Sequence, residues 1–212
     1  MMQFDMPLKK RIRYIVDTSY YILCNKIING DIIIYNEASM QLQLGTIMKQ
    51  LGGLYEFSKN ERFSIELEAP VQIQKETQKS RNGSARCDIK ISLSSETETC
   101  EAFIELKYLK KSFTEAVTDN KFFVYSDIEN LQEYKKINNE GLCYEIVYTD
   151  NINYTCKNDY KFCIGDGYIL SAGSYEYTKD RKIIIEKEYN FHWDIYKHDE
   201  QGTHCCFLKL EL

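Results

Sequence analysis

Two short stretches decide the fold: Arg86–Leu93, which reads RCDIKISL, and Ala102–Leu109, which reads AFIELKYL. Apolar residues occupy alternate positions in each stretch, and a period of two indicates a β-strand with one buried face. The polar segment SSETET connects them. Arg62–Glu68, which precedes both, alternates in the same way. The three stretches therefore predict three half-buried strands.

A helical pattern precedes the three strands. In residues 37–51 the apolar side chains recur every three or four positions, which is the spacing of one helix face. Asn36 is a suitable N-cap, and Gly52–Gly53 is a strong stop signal. Residues 8–28 are also compatible with a helix. We therefore expect helical structure before the first strand.

Helical spacing returns after the strands, in residues 125–137. Ser126 and Glu129 have the spacing of a capping box, which predicts that this helix begins near Ser126. The apolar run at 142–148 is short enough for a buried strand. The predicted order is thus helix, three strands, helix, strand.

Residues 151–212 have the character of strands and turns. Three stretches in this part, KFCIGDGYIL, RKIIIEKEYNFHWDIY and HCCFLKLEL, are separated by Gly, Ser, Asp and Asn. We predict one α/β domain over residues 1–212, with a mixed central β-sheet flanked by helices. Its core is 36–150, and 151–212 forms an antiparallel β-rich extension of the core sheet.

Composition indicates a globular protein without membrane association. The chain has 212 residues, 43% of them hydrophobic, and its N-terminal segment lacks the order of a secretory signal. No apolar run approaches the roughly 18 residues of a membrane span. The eight cysteines include no CxxC pair, so we expect reduced thiols and a cytoplasmic location.

The residues with the clearest chemical potential are Asp88, Glu105 and Lys107. Glu105 and Lys107 are two positions apart on a predicted strand, so their side chains project from one face about 7 Å apart. Asp88 would meet Glu105 if the two strands are neighbours. Two carboxylates can hold Mg²⁺, which activates water for phosphodiester hydrolysis, and a lysine can stabilise the developing charge.

Spacing alone does not single out this group. An acid two positions before a lysine occurs six times in the chain: Asp88–Lys90, Glu105–Lys107, Asp119–Lys121, Glu133–Lys135, Asp159–Lys161 and Asp180–Lys182. Context separates them, because only Glu105–Lys107 lies in an alternating strand preceded by a second such strand with an acid near its start.

With this context the chain resembles the PD-(D/E)XK, or restriction-endonuclease-like, nuclease superfamily over residues 36–150. The resemblance rests on RCDIKISL, FIELKY and the order of elements around them. It implies that Asp88 and Glu105 bind a metal ion and that Lys107 is the catalytic lysine. The expected activity is Mg²⁺- or Mn²⁺-dependent hydrolysis of nucleic-acid phosphodiesters, with DNA as the expected substrate.

Glu37 and Cys87 complete the comparison with this superfamily. Many of its members take a further metal ligand from the first helix, where this chain has Glu37. A carboxylate in a first helical turn is also stabilised by the helix dipole, so a purely structural role would account for Glu37 equally well. The residue before Asp88 is Cys87, where the family pattern has proline. Glu66 is a further candidate for the surroundings of the site.

The same residues are also compatible with a protein that does no chemistry. Asp88 and Lys107 could form a cross-strand ion pair on a solvated sheet face. The chain could be an inactive descendant that keeps the nuclease fold as a binding module, or an unrelated α/β module for a protein or small ligand. The net charge of −5 counts against nucleic acid, because phosphate binding depends on basic side chains.

Basic residues are nevertheless concentrated in two segments. One is near the N-terminus, in Lys9–Arg13, and the other is Lys75–Arg86. The second segment and the C-terminal strands are where we expect any sequence specificity, although a solvated loop accounts for the second segment equally well. Cutting two strands also allows for a homodimer. We expect no organic cofactor.

Overall fold

The protein is built around one six-stranded sheet, seen in a computed structural model that describes residues 6–77, 84–110, 117–138, 141–157, 162–197 and 204–212. The helices are α1 (Leu8–Ile28), α2 (Glu37–Gly52) and α3 (Val117–Ile137). The strands are β1 (Arg62–Gln72), β2 (Ser84–Ser94), β3 (Thr99–Leu109), β4 (Leu142–Thr149), β5 (Ile169–Leu170), β6 (Gly173–Thr178), β7 (Arg181–Ile185), β8 (Tyr189–Asn190), β9 (Trp193–Lys197) and β10 (His204–Glu211).

The central sheet is mixed, with the strand order β1-β2-β3-β4-β10-β9. β3 and β4 are parallel and α3 connects them, while the other neighbouring pairs are antiparallel. This arrangement confirms the predicted α/β class and the mixed central sheet. It also confirms that HCCFLKLEL extends the sheet, since β10 pairs antiparallel with β4.

The first face of the sheet packs against α1 and α2. Ile89, Ile91 and Ile104 point into this layer and are fully buried together with Ile12 and Leu44 of the helices. Asn36 caps α2 as predicted, because its side chain accepts from the backbone of Ser39 and the Ser39 hydroxyl completes the capping box. The cap fixes the first turn of α2, which carries Glu37.

The second face packs against α3, which is enclosed on several sides. The outer part of the β1–β2 hairpin contributes Val71 and Ala85 to its surroundings, and the C-terminal half of the chain contributes Phe162 and Ile183. Six apolar residues of α3 are completely buried: Phe122, Val124, Tyr125, Ile128, Leu131 and Tyr134. A helix enclosed in this way has no solvent-exposed stripe through most of its length.

Polar side chains of α3 bind the backbone of β7 as a neighbouring strand would. Gln132 Nε2 donates to the carbonyl of Ile184 (3.0 Å), and Gln132 Oε1 accepts from the backbone N–H of Glu186 (2.8 Å). Glu129 Oε1 accepts from the N–H of Ile184 (2.9 Å). Backbone groups left without partners would be costly, so these side chains attach the small β6–β7 sheet to the core.

The predicted start of α3 was wrong. The helix begins by Val117 rather than near residue 125, and Ser126 is a fully buried residue in its interior. Glu129 is bonded to the β7 backbone rather than to a helix end. Ser126 and Glu129 have the spacing of a capping box, but they are polar residues in the interior of an enclosed helix. The partner of Glu129 comes from tertiary structure, so the spacing does not mark a helix start.

The C-terminal part also departs from the prediction in detail. Within the described part of KFCIGDGYIL, residues 162–170, only Ile169–Leu170 forms a strand, and RKIIIEKEYNFHWDIY is divided among β7, β8 and β9. At Gly165 the chain passes so close to Cys156 that a Cβ would lie 2.5 Å from its carbonyl carbon. This close approach belongs to a loop rather than to a regular strand. Asp166 accepts from the N–H of Trp193 (2.9 Å), which fixes an irregular loop instead of a longer strand.

The cysteines, the helices and part of the second basic segment can be located in the structure. All eight cysteines are free, and seven of them are buried. Of the helices in the described ranges, none combines the length and apolar character that a membrane span requires. In the second basic segment Lys75 and Arg86 are exposed, while Lys79 and Arg81 lie outside the described residues.

Arg11, a member of the N-terminal basic segment, is committed to a buried ion pair. Its two terminal nitrogens donate to the Glu61 carboxylate (2.6 and 2.9 Å), which also accepts from the N–H of Phe57. The Arg11 hydrogen bond lowers the pKa of Glu61. The pair ties α1 to the start of β1, so Arg11 is a structural residue rather than a phosphate contact.

We expect Glu61→Gln to lower the free energy of unfolding at pH 7 by about 3 kcal/mol, since it leaves a buried guanidinium without its counter-charge. Because the folded pKa of Glu61 is lowered, its contribution is present above the ordinary carboxyl range and is lost as the pH falls through the folded pKa. Urea denaturation at pH 7 and at pH 3 measures both effects. A loss of equal size at the two pH values would contradict the linkage.

Candidate active site

The sheet opens at Asp88, where β2 separates from β3. The β2–β3 register ends with Ile89 opposite Ile104, and the β1–β2 register passes over Glu68 and Asp88. Glu68 has a φ of 52°, a conformation that is costly outside glycine and tends to occur at functional sites. Freed from the regular ladder, the Asp88 carboxylate accepts a hydrogen bond from a backbone N–H of β3.

That N–H belongs to Leu106, and the bond is 2.6 Å long. Leu106 lies between Glu105 and Lys107 in the chain, so Asp88 is attached to the backbone of the strand that carries the other two predicted residues. β2 and β3 are neighbours in the sheet, which is the condition under which Asp88 can approach Glu105. The strand opening thus brings Asp88 to the middle of the Glu105–Lys107 segment.

Glu105 projects from β3 towards α3 and is only 1% exposed. The Tyr134 hydroxyl donates to its Oε1 at 3.0 Å. Burial raises the pKa of Tyr134, and the nearby charge of Glu105 raises it further. Tyr134 therefore remains a protonated hydrogen-bond donor to Glu105 at neutral pH.

Lys107 lies between two carboxylates from different helices. Its Nζ is 3.0 Å from Glu37 Oε2 and 3.3 Å from Asp127 Oδ2, and its side chain is 12% exposed. Burial lowers the pKa of Lys107, but the charges of Glu37, Glu145 and Asp88 and the hydrogen bond to Glu37 raise it, so the net pKa is raised. Lys107 is consequently a fully charged cation at the edge of the site.

Gln41 attaches α2 to the opened strands. It follows Glu37 by one helical turn, and its Nε2 donates to the backbone carbonyl of Asp88 (2.6 Å) and to Glu68 Oε1 (3.1 Å). The first two turns of α2 thus present Glu37 and Gln41 to the same region. Glu37, which the sequence allows as either a metal ligand or a helix-end charge, makes a direct contact with Lys107.

The structure brings Asp88 to the backbone of Leu106 and Glu37 to Lys107, whereas Glu105 binds Tyr134 of α3. Among the described residues Lys107 forms ion pairs with Glu37 and Asp127. Asp88 contributes to the raised pKa of Lys107 through its charge. Glu66 is exposed and lies opposite Lys90 in the register.

Four residues of the site were missed by the sequence analysis: Gln41, Asp127, Tyr134 and Glu145. Glu145 is fully buried and sits directly beside Glu105 in the parallel β3–β4 register. A carboxylate in the middle of the apolar run LCYEIVYT was a detectable signal, because acids are rarely buried without a partner. Asp127 was obscured by the mistaken helix start.

The oxygen-donor chemistry of the site suits a hard divalent cation. Glu37, Asp88 and Glu105 are carboxylates, which Mg²⁺ and Mn²⁺ accept as ligands, and a carboxylate has acceptor capacity beyond one hydrogen bond. However, no three His, Cys, Asp or Glu side chains within the described ranges converge as a metal-binding group. The donor types fit the ion, but these carboxylates do not converge as a metal-binding group within the described residues.

The chain matches no protein-family model, no curated protein and no solved structure. The function is therefore inferred from the geometry of this site. Its distinctive elements are the strand opening at Asp88, the Glu105–Lys107 pair on β3 and the contact of Lys107 with the first turn of α2.

Proposed function

We propose that the protein is a metal-dependent nuclease of the PD-(D/E)XK type that hydrolyses phosphodiester bonds of DNA. The observation that carries this proposal is the hydrogen bond from the Leu106 N–H to Asp88. It attaches an acid from the end of the paired part of β2 to the centre of the Glu-x-Lys segment of β3. The helix, three strands, helix, strand order of the core supports the same assignment.

Each residue has a distinct role in the proposed reaction. Asp88 and Glu105 would hold Mg²⁺ or Mn²⁺, with Glu37 as a further ligand. The ion would supply an activated water and would neutralise charge on the phosphate. Lys107, charged and largely buried, would stabilise the negative charge that develops on the phosphate oxygens. Tyr134 would orient Glu105 through the bond to its carboxylate.

A second candidate is an inactive protein that uses the same fold as a binding module. Two observations favour it: Glu105 is 1% exposed, and within the described residues the carboxylates do not converge as a metal-binding group. In that case the carboxylates around Lys107 would serve as a buried charge network. Metal binding separates the two candidates, because only the nuclease requires an ion at Asp88.

The proposal is tested with supercoiled, linear and single-stranded DNA in the presence of Mg²⁺ or Mn²⁺. We expect cleavage by the unmodified protein and at least a hundredfold loss in Asp88→Asn, a size typical of a removed electrostatic element. Mn²⁺ binding by calorimetry should weaken in the same variant. Glu98→Gln, in the exposed β2–β3 turn, is the control and should behave as the parent.

Two results would contradict the nuclease proposal. One is the absence of both cleavage and Mn²⁺ binding in the unmodified protein, which would favour the binding module. The other is cleavage that persists unchanged in Asp88→Asn, which would place the reaction elsewhere.

A further inference from the structure

The two carboxylates that contact Lys107 differ sharply in exposure. The side chain of Asp127 is completely buried in α3, whereas that of Glu37 is 42% exposed at the start of α2. Both lie within ion-pair distance of the same ammonium group, Asp127 at 3.3 Å and Glu37 at 3.0 Å, and the Glu37 contact is also a hydrogen bond, so the two differ in burial rather than in proximity. A buried side chain on an enclosed helix has little freedom to move, while an exposed one in a first helical turn can exchange partners.

We infer that Asp127 is a positioning residue that holds the Lys107 ammonium in place, whereas Glu37 is its exchangeable partner. The inference rests on the proposed function in assigning Lys107 to the reaction. Its structural part, that Asp127 rather than Glu37 fixes Lys107, stands on the geometry of the chain. Asp127 makes no contact with substrate in this assignment and acts through Lys107.

The position of Asp127 on α3 supports this role. Asp127 and Tyr134 are seven residues apart, which places them on one face of the helix about 10 Å apart along its axis. Tyr134 binds Glu105 and Asp127 contacts Lys107. One face of α3 thus contacts both ends of the Glu-x-Lys segment of β3, and the helix acts as a rigid template for that segment.

Enclosure of α3 explains how it can serve as a template. Asn130, between Asp127 and Tyr134 on the helix, accepts from the Thr77 hydroxyl of the β1–β2 hairpin. Gln132 is fixed by the β7 backbone. The helix is therefore anchored from two independent segments of the chain. If Glu37 leaves Lys107 to bind a cation, Asp127 keeps the ammonium in position.

The test compares Asp127→Asn with Glu37→Gln in the metal-free full-length protein. Asparagine keeps the shape and an acceptor oxygen but removes the charge, so a merely space-filling role would survive. We expect the Lys107 ammonium signal in a ¹⁵N-selective NMR spectrum to shift, and its protons to exchange at least tenfold faster, in Asp127→Asn. In Glu37→Gln the exchange should change less than threefold. The reverse pattern would overturn the inference.

Activity provides a second readout. In Asp127→Asn we expect kcat for DNA cleavage to fall about ten- to a hundredfold, which is the size of effect that misplacement of a catalytic group produces, with KM unchanged. Circular dichroism verifies folding, and Asp127→Ser replaces the asparagine variant if that fails to fold. If the unmodified protein cuts no DNA, the nuclease proposal fails, while the NMR comparison still decides the role of Asp127.

Discussion

Replacing Lys107 with methionine is expected to reduce metal-dependent DNA cleavage by a factor of about 10²–10³, the cost of removing one fixed electrostatic element from an active site. Methionine keeps an apolar stem of similar length, so packing against β3 is preserved. The substitution removes the positive charge of the Lys107 ammonium, which lies between the carboxylates of Glu37 and Asp127. We expect the loss in kcat, since Lys107 acts on charge that develops in the transition state.

The matched control is Lys90→Met. Lys90 is also a strand lysine paired with an acid, Glu101, at 2.7 Å, and its side chain is 26% exposed. It lies on β2 away from the contacts of Lys107, so its removal should leave cleavage within about twofold. Thermal unfolding of both variants separates loss of activity from loss of fold. Cleavage by Lys107→Met within threefold of the parent would remove Lys107 from the reaction.

The second large effect is expected on stability, from Gln132→Leu. Leucine has nearly the same volume but cannot bond the Ile184 carbonyl, the Glu186 N–H or the Tyr189 hydroxyl. Backbone groups that lose a partner on partial burial cost about 1–3 kcal/mol each. We therefore expect the free energy of unfolding to fall by about 2–4 kcal/mol, measured by urea denaturation.

The control for this substitution is Gln50→Leu, which makes the same chemical change at an exposed position of α2. Surface changes of this kind usually alter stability by no more than about 0.5 kcal/mol. The difference between the two variants isolates the contribution of the β7 backbone contacts. Equal stabilities would mean that water replaces Gln132 at the β7 edge without cost.

The elements that were predicted correctly from the sequence are those with two faces in different environments. β1, β2 and β3 each have one face towards α1 and α2, so their apolar residues alternate and the strands were recognised. α2 begins at an N-cap, Asn36, that the sequence identifies clearly. In each case local pattern and tertiary environment agree, and this agreement is what allows a single sequence to be interpreted.

The helix at 125–137 was predicted and lies within α3, but its start was mispredicted for the opposite reason. Its surroundings are protein on most sides, so Lys121, Asp127 and Glu129 are buried although their side chains are ionisable. An amphipathic pattern in the sequence depends on a difference between a solvent-exposed and a buried helix face. α3 lacks that difference through most of its length. The partners that Asp127 and Glu129 contact come from β3 and β7, which are distant in the chain, so no local pattern identifies them.

The enclosure of α3 also bears on when the reaction centre can form during synthesis. Chains emerge from the ribosome N-terminal end first, and the segments that cover α3 include Phe162 and Ile183, which follow every proposed metal ligand in the sequence. Glu37, Asp88, Glu105 and Lys107 are all translated before the template helix is covered. A nascent chain thus acquires a fixed Lys107 only after the segments that contain Phe162 and Ile183 have been synthesised.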